Sequence, residues 1–188
     1  IMHCEICDKK LASVYQFSNS PIPNDYYDKP NIVTSNQNVT YCDNCFYVKN
    51  IHQFGIEQVF NNYLYRTPKT NQDQETIDFL KQKIESLGVI NIIEVGGNNG
   101  VFAEKLLEQV SIIDTHDIWD RVPLITKNNR IKHTNQYLSE NSICENEVDL
   151  VIVRHAFAHN PSISLFAKNI AEIINPKYLY IECANWGQ

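Results

Sequence analysis

The chain contains no run of 18 apolar residues, and no basic segment followed by an apolar one opens it. The first absence argues against a membrane-spanning helix and the second against an export signal. The expectation is therefore a soluble, cytoplasmic protein with no membrane partner. Basic clusters are missing too: 16 lysines and arginines face 22 aspartates and glutamates, for a net charge of −6. Repulsion from a phosphate backbone disfavours nucleic acid as a partner. No segment repeats at a fixed period. Glycine is scarce, at six in 188 residues, yet three of the six fall within positions 96–100. That concentration needs a reason.

Composition divides the chain into two zones, 1–66 and 67–188. The first holds four of the six cysteines and seven of the ten tyrosines, and it shows little sustained helical period. Residues 19–38, NSPIPNDYYDKPNIVTSNQN, are rich in Asn, Pro, Asp and Ser and read as loop. Beyond residue 72 the pattern changes. In QDQETIDFLKQKIESLG, the apolar residues Ile77, Leu80, Ile84 and Leu87 fall at helical spacing, and Gly88 closes the turn. Next come VINIIEV as a strand, VFAEKLLEQV as a helix, VSIID as a strand and NRIKH as a short strand. VDLVIVRH as a strand, ISLFAKNIAEII as a helix and KYLYIEC as a strand complete the series. Strand and helix alternating with short turns predict a parallel α/β sheet with helices on both faces.

HCEICDKK and YCDNCFYVK present Cys4, Cys7, Cys42 and Cys45 as two CxxC pairs. A CxxC turn delivers two thiolates from one short loop, and two turns complete the tetrahedral shell of a structural Zn2+ with no position left for a catalytic water. Such a metal would staple a zone too small to build its own core. The alternative is a set of disulfides or free thiols, which the lack of an export signal disfavours. Cys144 and Cys183 stand alone beside apolar runs and read as small core residues.

The glycines follow the first strand of the α/β zone, in EVGGNNG. Glycines after such a strand let the backbone approach a ligand that a Cβ would block, and the next helix turns its N-terminus towards it. The usual dinucleotide spacing and a Walker lysine are both missing. Asp114, twenty residues beyond Glu94, is expected to end the second strand, where α/β nucleotide sites keep a carboxylate for ribose hydroxyls. Glu94, Gly96, Gly97, Asn99, Gly100 and Asp114 together suit S-adenosylmethionine. A glycine turn that merely packs helix on strand is the plainer alternative.

The order of these pieces resembles the sugar C-methyltransferases that act on nucleotide-linked deoxysugars. The resemblance runs through Cys4/Cys7, Cys42/Cys45, NYLYRT, IEVGGNNG, VDLVIVRHAFAHNPS and YLYIECANW. It implies a zinc module followed by a Rossmann-like class I methyltransferase domain, with a nucleotide-linked keto sugar as the small-molecule substrate. The family's loop usually reads E-I-G-x-N-D-G, so Asn99 here replaces an aspartate. By matching, Tyr65 and His159 would line the sugar site, with Tyr63 and His155 as neighbouring candidates. The family also carries a Tyr-His-Glu-His cluster beyond the fifth strand, and this chain stops short of it at Gly187-Gln188. The expectation is an incomplete sheet, belonging either to a fragment or to a shortened relative.

His155 and His159 are spaced i and i+4 at the end of the fourth strand of that zone, where open α/β sheets place their ligands. An imidazole there can act as a base or hold a substrate oxygen; packing or capping is the plain alternative. Arg66 suits either a phosphate or the solvent. His116, Asp117, Asn185 and Trp186 border the same edge. Two other functions stay open: a cofactor-binding scaffold without catalysis, and a zinc-ribbon recognition module joined to an α/β domain.

Overall fold

A computed structural model of the protein describes residues 2–22, 33–52, 54–60, 65–68, 73–117, 128–135, 138 and 147–184. The chain divides into two compact units, Ile1–Leu64 and Tyr65–Gln188.

The first unit is built on strand rather than loop. β1 (Ala12–Pro21), β2 (Thr34–Tyr41) and β3 (Val48–His52) form an antiparallel sheet in that order, followed by a short helix, α1 (Ile56–Phe60). The expected loop over 19–38 is therefore strand at both ends, and its middle, 23–32, lies outside the described residues. These strands escaped notice for a physical reason. A period of two becomes visible when one face is buried, and nearly every residue of β1 is exposed. The buried cluster of this unit is small: Cys4, Leu11 and Cys42, with Cys7, Cys45 and Tyr47 packed against them.

The second unit is an open, wholly parallel sheet. Its strands are β4 (Asn91–Val95), β5 (Ile112–Asp117), β6 (Ile131–Asn135), β7 (Leu150–Arg154) and β8 (Tyr178–Glu182). They lie in the order β6-β5-β4-β7-β8. The chain thus winds outward from β4 on one side, returns, and winds outward on the other. The crevice between β4 and β7 is the topological switch point, where such sheets bind ligands.

Helices cover both faces. On one, α2 (Gln74–Leu87) and α3 (Val101–Leu106) pack Ile77, Leu80, Ile84, Phe102 and Leu106 against Ile92, Ile113, Ile131 and Ile152. Full burial of each of these side chains contributes about 1.5–3 kcal/mol. On the other face, α4 (Ile163–Asn169) continues into a π-helical turn, Ile170–Ile174. Phe166, Ile170 and Ile174 pack there against Ile93, Val95, Val151 and Val153. Ser162 caps α4 by accepting from the Leu165 amide, and Gly88 ends α2 in the left-handed conformation.

Asp149 fastens the base of the sheet. Its carboxylate accepts from the Ile90 and Asn91 amides at 2.9 and 3.0 Å and from Lys177 Nζ at 2.7 Å, so it joins the starts of β4, β7 and β8. The lysine's hydrogen bond holds this carboxyl below the usual aspartate range against the opposing effect of burial. Among the described residues, no helix is long and apolar enough to cross a membrane.

Candidate cofactor site and cysteine centre

The two CxxC turns fold alike. The Cys4 amide donates to Lys9 O and the Asp8 amide to Cys4 O; the Cys42 amide donates to Tyr47 O and the Phe46 amide to Cys42 O. Asp8 and Phe46, each four residues past the first cysteine of its pair, both take positive φ, 58° and 60°. The four Sγ atoms lie within 4.8 Å of one another, and the cluster can hold a metal ion. Cys4 and Cys45 are 3.5 Å apart, as are Cys7 and Cys42. Tetrahedral zinc at its usual sulfur distance would set its ligands about 3.8 Å apart, so the donor set and its spacing fit that ion. A disulfide, with sulfurs about 2.05 Å apart, does not match; all four thiols are free.

The thiols themselves favour a cation. A hydrogen bond from the Lys9 backbone draws Cys7 down to about 6, despite burial. At Cys45 the matching bond from the Tyr47 backbone is outweighed by burial and by the neighbouring thiols, and the group is pushed up to about 12. Cys7 thus ionises readily while Cys45 resists, as expected of sulfurs crowded without a balancing charge. Tyr47 and Lys49 steady the site from outside, both bonding Glu5 Oε1, at 2.9 and 2.7 Å.

In the second unit the glycine loop sits at the carboxyl end of β4. Gly96, Asn98 and Gly100 take φ of 75°, 47° and 76°. A Cβ at Gly96 would lie 2.8 Å from the Ala156 Cβ, across the switch point. One at Gly97 would lie 2.8 Å from the Thr115 Cβ and 3.0 Å from Glu94 Oε2. Packing thus requires glycine at 96 and 97, and backbone conformation favours it at 96 and 100. This is the packing role that was the plainer alternative from the sequence.

The two asparagines have a function that the motif alone did not reveal. Asn98 Oδ1 accepts from the Thr67 amide and the Asn99 amide, and its Nδ2 donates to Tyr65 O. Asn99 Nδ2 donates to Thr67 O at 3.0 Å. Together they bind residues 65–67 to the loop. Asn99 is 1% exposed, and its Oδ1 has no hydrogen-bond partner among the described residues. A buried acceptor left over in this loop is chemically suited to a ligand's amino group. An aspartate at this position would lack the donor that Thr67 O receives.

Asp114 requires a correction. β5 does not end there but runs on to Asp117, because Thr115, His116 and Asp117 keep the ladder with His133, Thr134 and Asn135. Asp114 is interior to the strand, and its Oδ1 accepts from Thr134 Oγ1 at 2.9 Å. Polar residues in THD disguised the continuation. Glu94 is buried on the face beneath α2 and α3, in register with Thr115, and Thr115 with His133. Thr115 Oγ1 meets His133 Nδ1 at 2.9 Å, and His133 Nε2 is buried without a partner among the described residues. His133 was not among the sequence candidates.

His155 follows β7 directly, with φ 52°. Its amide donates to Glu182 O at 2.8 Å, and its Nε2 lies 2.9 Å from Glu182 Oε1. His159 ends a short 3-10 turn, Phe157–His159, and is exposed. Tyr65 is 56% exposed at the end of the segment that Asn98 holds. Arg154 is engaged structurally: it bonds Glu182 Oε2 at 3.0 Å and Asp73 at 2.9 Å and lies over the Phe102 ring at 3.8 Å. Cys183 is exposed rather than a core residue, since it follows the outer strand of the sheet. Tyr63, Cys144, Asn185 and Trp186 lie outside the described residues, and for His116 and Asp117 only the backbone is described.

No family model matches the chain, and no curated protein matches it. Solved structures do. The methyltransferase domain of a bacterial Hen1 protein (CtHen1) aligns over 58% of this chain and 65% of its own, with 16% identity and a TM-score of 0.52. The fold is the Rossmann-like fold of the class I methyltransferases. The YcgJ protein from Bacillus subtilis aligns at 10% identity and TM-score 0.47, over 54% of this chain and 46% of its own. N-methyltransferase NodS from Bradyrhizobium japonicum, in complex with S-adenosyl-L-homocysteine, aligns at 16% identity and TM-score 0.44, over 56% and 57%. The chain spans less than two thirds of the length of each of these three proteins. The methyltransferase fold accounts for the second unit, with its glycine loop at the switch point.

Proposed function

We propose that the protein is an S-adenosylmethionine-dependent methyltransferase whose first unit is held together by zinc. The observation that carries this reading is the loop Gly96–Gly100 at the carboxyl end of the central strand, with the unmatched acceptor Asn99 Oδ1 inside it. Glu94, Gly96, Gly97, Asn99, Gly100 and Asp114 would hold the cofactor, with Asp117, the last residue of β5, as a second candidate for the ribose. When bound, the cofactor supplies an electrophilic methyl group. The protein's own task is to orient the acceptor, exclude water and accept a proton.

For substrate we propose a nucleotide-linked keto-deoxysugar methylated at the carbon beside its carbonyl. The motif order that resembles the sugar C-methyltransferases supports this, as do Tyr65, fastened beside the loop through Asn98, and the two histidines after β7. Cys4, Cys7, Cys42 and Cys45 would bind zinc structurally, all four ligands being protein thiols.

Calorimetric titration with S-adenosylmethionine tests the cofactor, and incubation with labelled cofactor and a nucleoside-diphosphate 4-keto-deoxysugar tests the substrate. Binding that Asn99→Ala weakens, followed by label in the sugar, is expected. No binding by a folded, zinc-loaded chain would refute the reading.

A further inference from the structure

His155 is held in an unusual way. A non-glycine residue at φ 52° is strained. Such strain persists only where the surroundings enforce it, and it concentrates at functional sites. The enforcement comes from one residue: Glu182, at the end of β8, receives the His155 amide on its backbone oxygen at 2.8 Å and the imidazole Nε2 on its carboxylate at 2.9 Å. The next residue, Ala156, abuts Gly96 of the cofactor loop. His155 is therefore fastened at its backbone amide and at its imidazole Nε2, and with 58% of its side chain exposed it stays accessible to a substrate.

The carboxylate is itself fixed. Arg154 bonds both of its oxygens, Nε to Oε2 at 3.0 Å and the terminal nitrogen to Oε1 at 3.3 Å, and Tyr180 donates to Oε2 at 3.1 Å. Burial opposes its ionisation, but Arg154 overcomes this and holds the carboxyl below the usual glutamate range. Asp73 shares the arginine from the other side. An ionised carboxylate accepts only, so the nitrogen facing it must carry hydrogen. In neutral His155 the lone pair then lies on Nδ1.

We propose that Glu182 is a positioning residue that holds His155 as the Nε2–H tautomer, so that Nδ1 serves as the proton acceptor of the reaction. This rests on the methyltransferase reading above. In the step, the proton beside the substrate carbonyl passes to Nδ1. The electron pair of that C–H bond, carried through the enolate, forms the new bond to the methyl carbon. The methyl–sulfur bond breaks with its pair remaining on sulfur, which becomes a neutral thioether. The imidazolium left behind is balanced by Glu182 and gives its proton to water. Among the described residues, Arg154 and Tyr180 bond Glu182, and Asp73 bonds Arg154.

The test begins with the full chain, labelled with 15N-histidine, and needs neither cofactor nor substrate. Long-range 1H–15N spectra should show neutral His155 predominantly as the Nε2–H tautomer, and Glu182→Gln should lose that preference. An Nδ1–H tautomer in the parent chain would overturn the proposal without any variant having to fold. Nuclear magnetic resonance would then follow exchange of solvent deuterium into a nucleoside-diphosphate 4-keto-deoxysugar, the proton-transfer half of the reaction alone. The parent should catalyse it, and Glu182→Gln should slow it by roughly 10²–10⁴-fold, as when a triad imidazole loses its orienting carboxylate, with substrate KM little changed. Absent exchange in the parent, or a variant as fast as the parent, overturns the role as base. Failure of S-adenosylmethionine to bind, with tautomer and exchange as expected, would instead overturn the methyltransferase reading and leave a histidine–glutamate proton-transfer pair.

Discussion

Replacing Gly96 by alanine introduces two separate penalties. The residue sits at φ 75°, and its added Cβ would lie 2.8 Å from that of Ala156. A left-handed conformation costs an L-residue about 1–2 kcal/mol. A contact that close forces one of the two loops to shift, and overpacking of this kind costs about 1–3 kcal/mol. The expected loss is their sum, about 2–5 kcal/mol. Two other glycines separate the contributions. Gly88, at φ 67° with nothing within 4 Å of the added atom, should show only the backbone part. Gly97 has no positive φ but would press its Cβ to 2.8 Å from that of Thr115, and should show only the packing part. Urea unfolding followed by far-ultraviolet circular dichroism measures all three. Gly96→Ala should lose about as much as the other two alanine variants combined, with roughly 3–6 °C of Tm per kcal/mol. A Gly96→Ala loss no larger than that of Gly88→Ala would refute the close approach of the β4 and β7 loops.

Purified protein should carry one zinc per chain; chelation should abolish the ordered signals of residues 2–22 and 33–52 while leaving the second unit folded, since the buried cluster around Cys4, Leu11 and Cys42 is built largely on the metal-binding cysteines. Asp149→Asn should cost about 1.5–3 kcal/mol, the range for hydrogen bonds to a charged group. It should also flatten the acid limb of the stability profile. The folded carboxyl lies below its usual range, so its contribution is full above the unfolded value of about 4 and disappears as pH falls through the folded one. Denaturation between pH 2 and 7 checks both. Asn98→Ala should expose the Thr67 amide, which donates to Asn98 Oδ1, to fast hydrogen exchange while the α2 amides keep their protection.

How much of this was legible beforehand depended on burial. Ile77, Leu80 and Ile84 are nearly inaccessible, and their spacing marked α2 correctly as a helix ending at Gly88. The β-branched runs of β4 and β7 are buried on both faces, which is what an unbroken apolar stretch signifies in a parallel sheet. Where strands are solvated or polar the signal failed. β1 hides almost nothing, and the last three residues of β5 are Thr, His and Asp, so the end of that strand was placed three residues too early. Each CxxC pair marked two thiols as local neighbours, but the 3.5 Å contacts, Cys4–Cys45 and Cys7–Cys42, run between the pairs across 41 and 35 positions. The bonds from Asn98 and Asn99 to residues 65–67 span 31–33 positions, and the Glu182–His155 contact spans 27; no local pattern encodes them.

The carboxylate at the base of the parallel sheet has a kinetic consequence. Asp149 reaches backward across 58 and 59 positions to the amides that begin the central strand, and forward across 28 to Lys177. Its bonds close long chain loops, so they form only after β4, β7 and β8 have already found one another. They belong late in assembly, and losing them should hasten unfolding far more than it slows refolding. The carboxylate works as a latch on a finished sheet, setting how long the open crevice at the opposite edge survives once built.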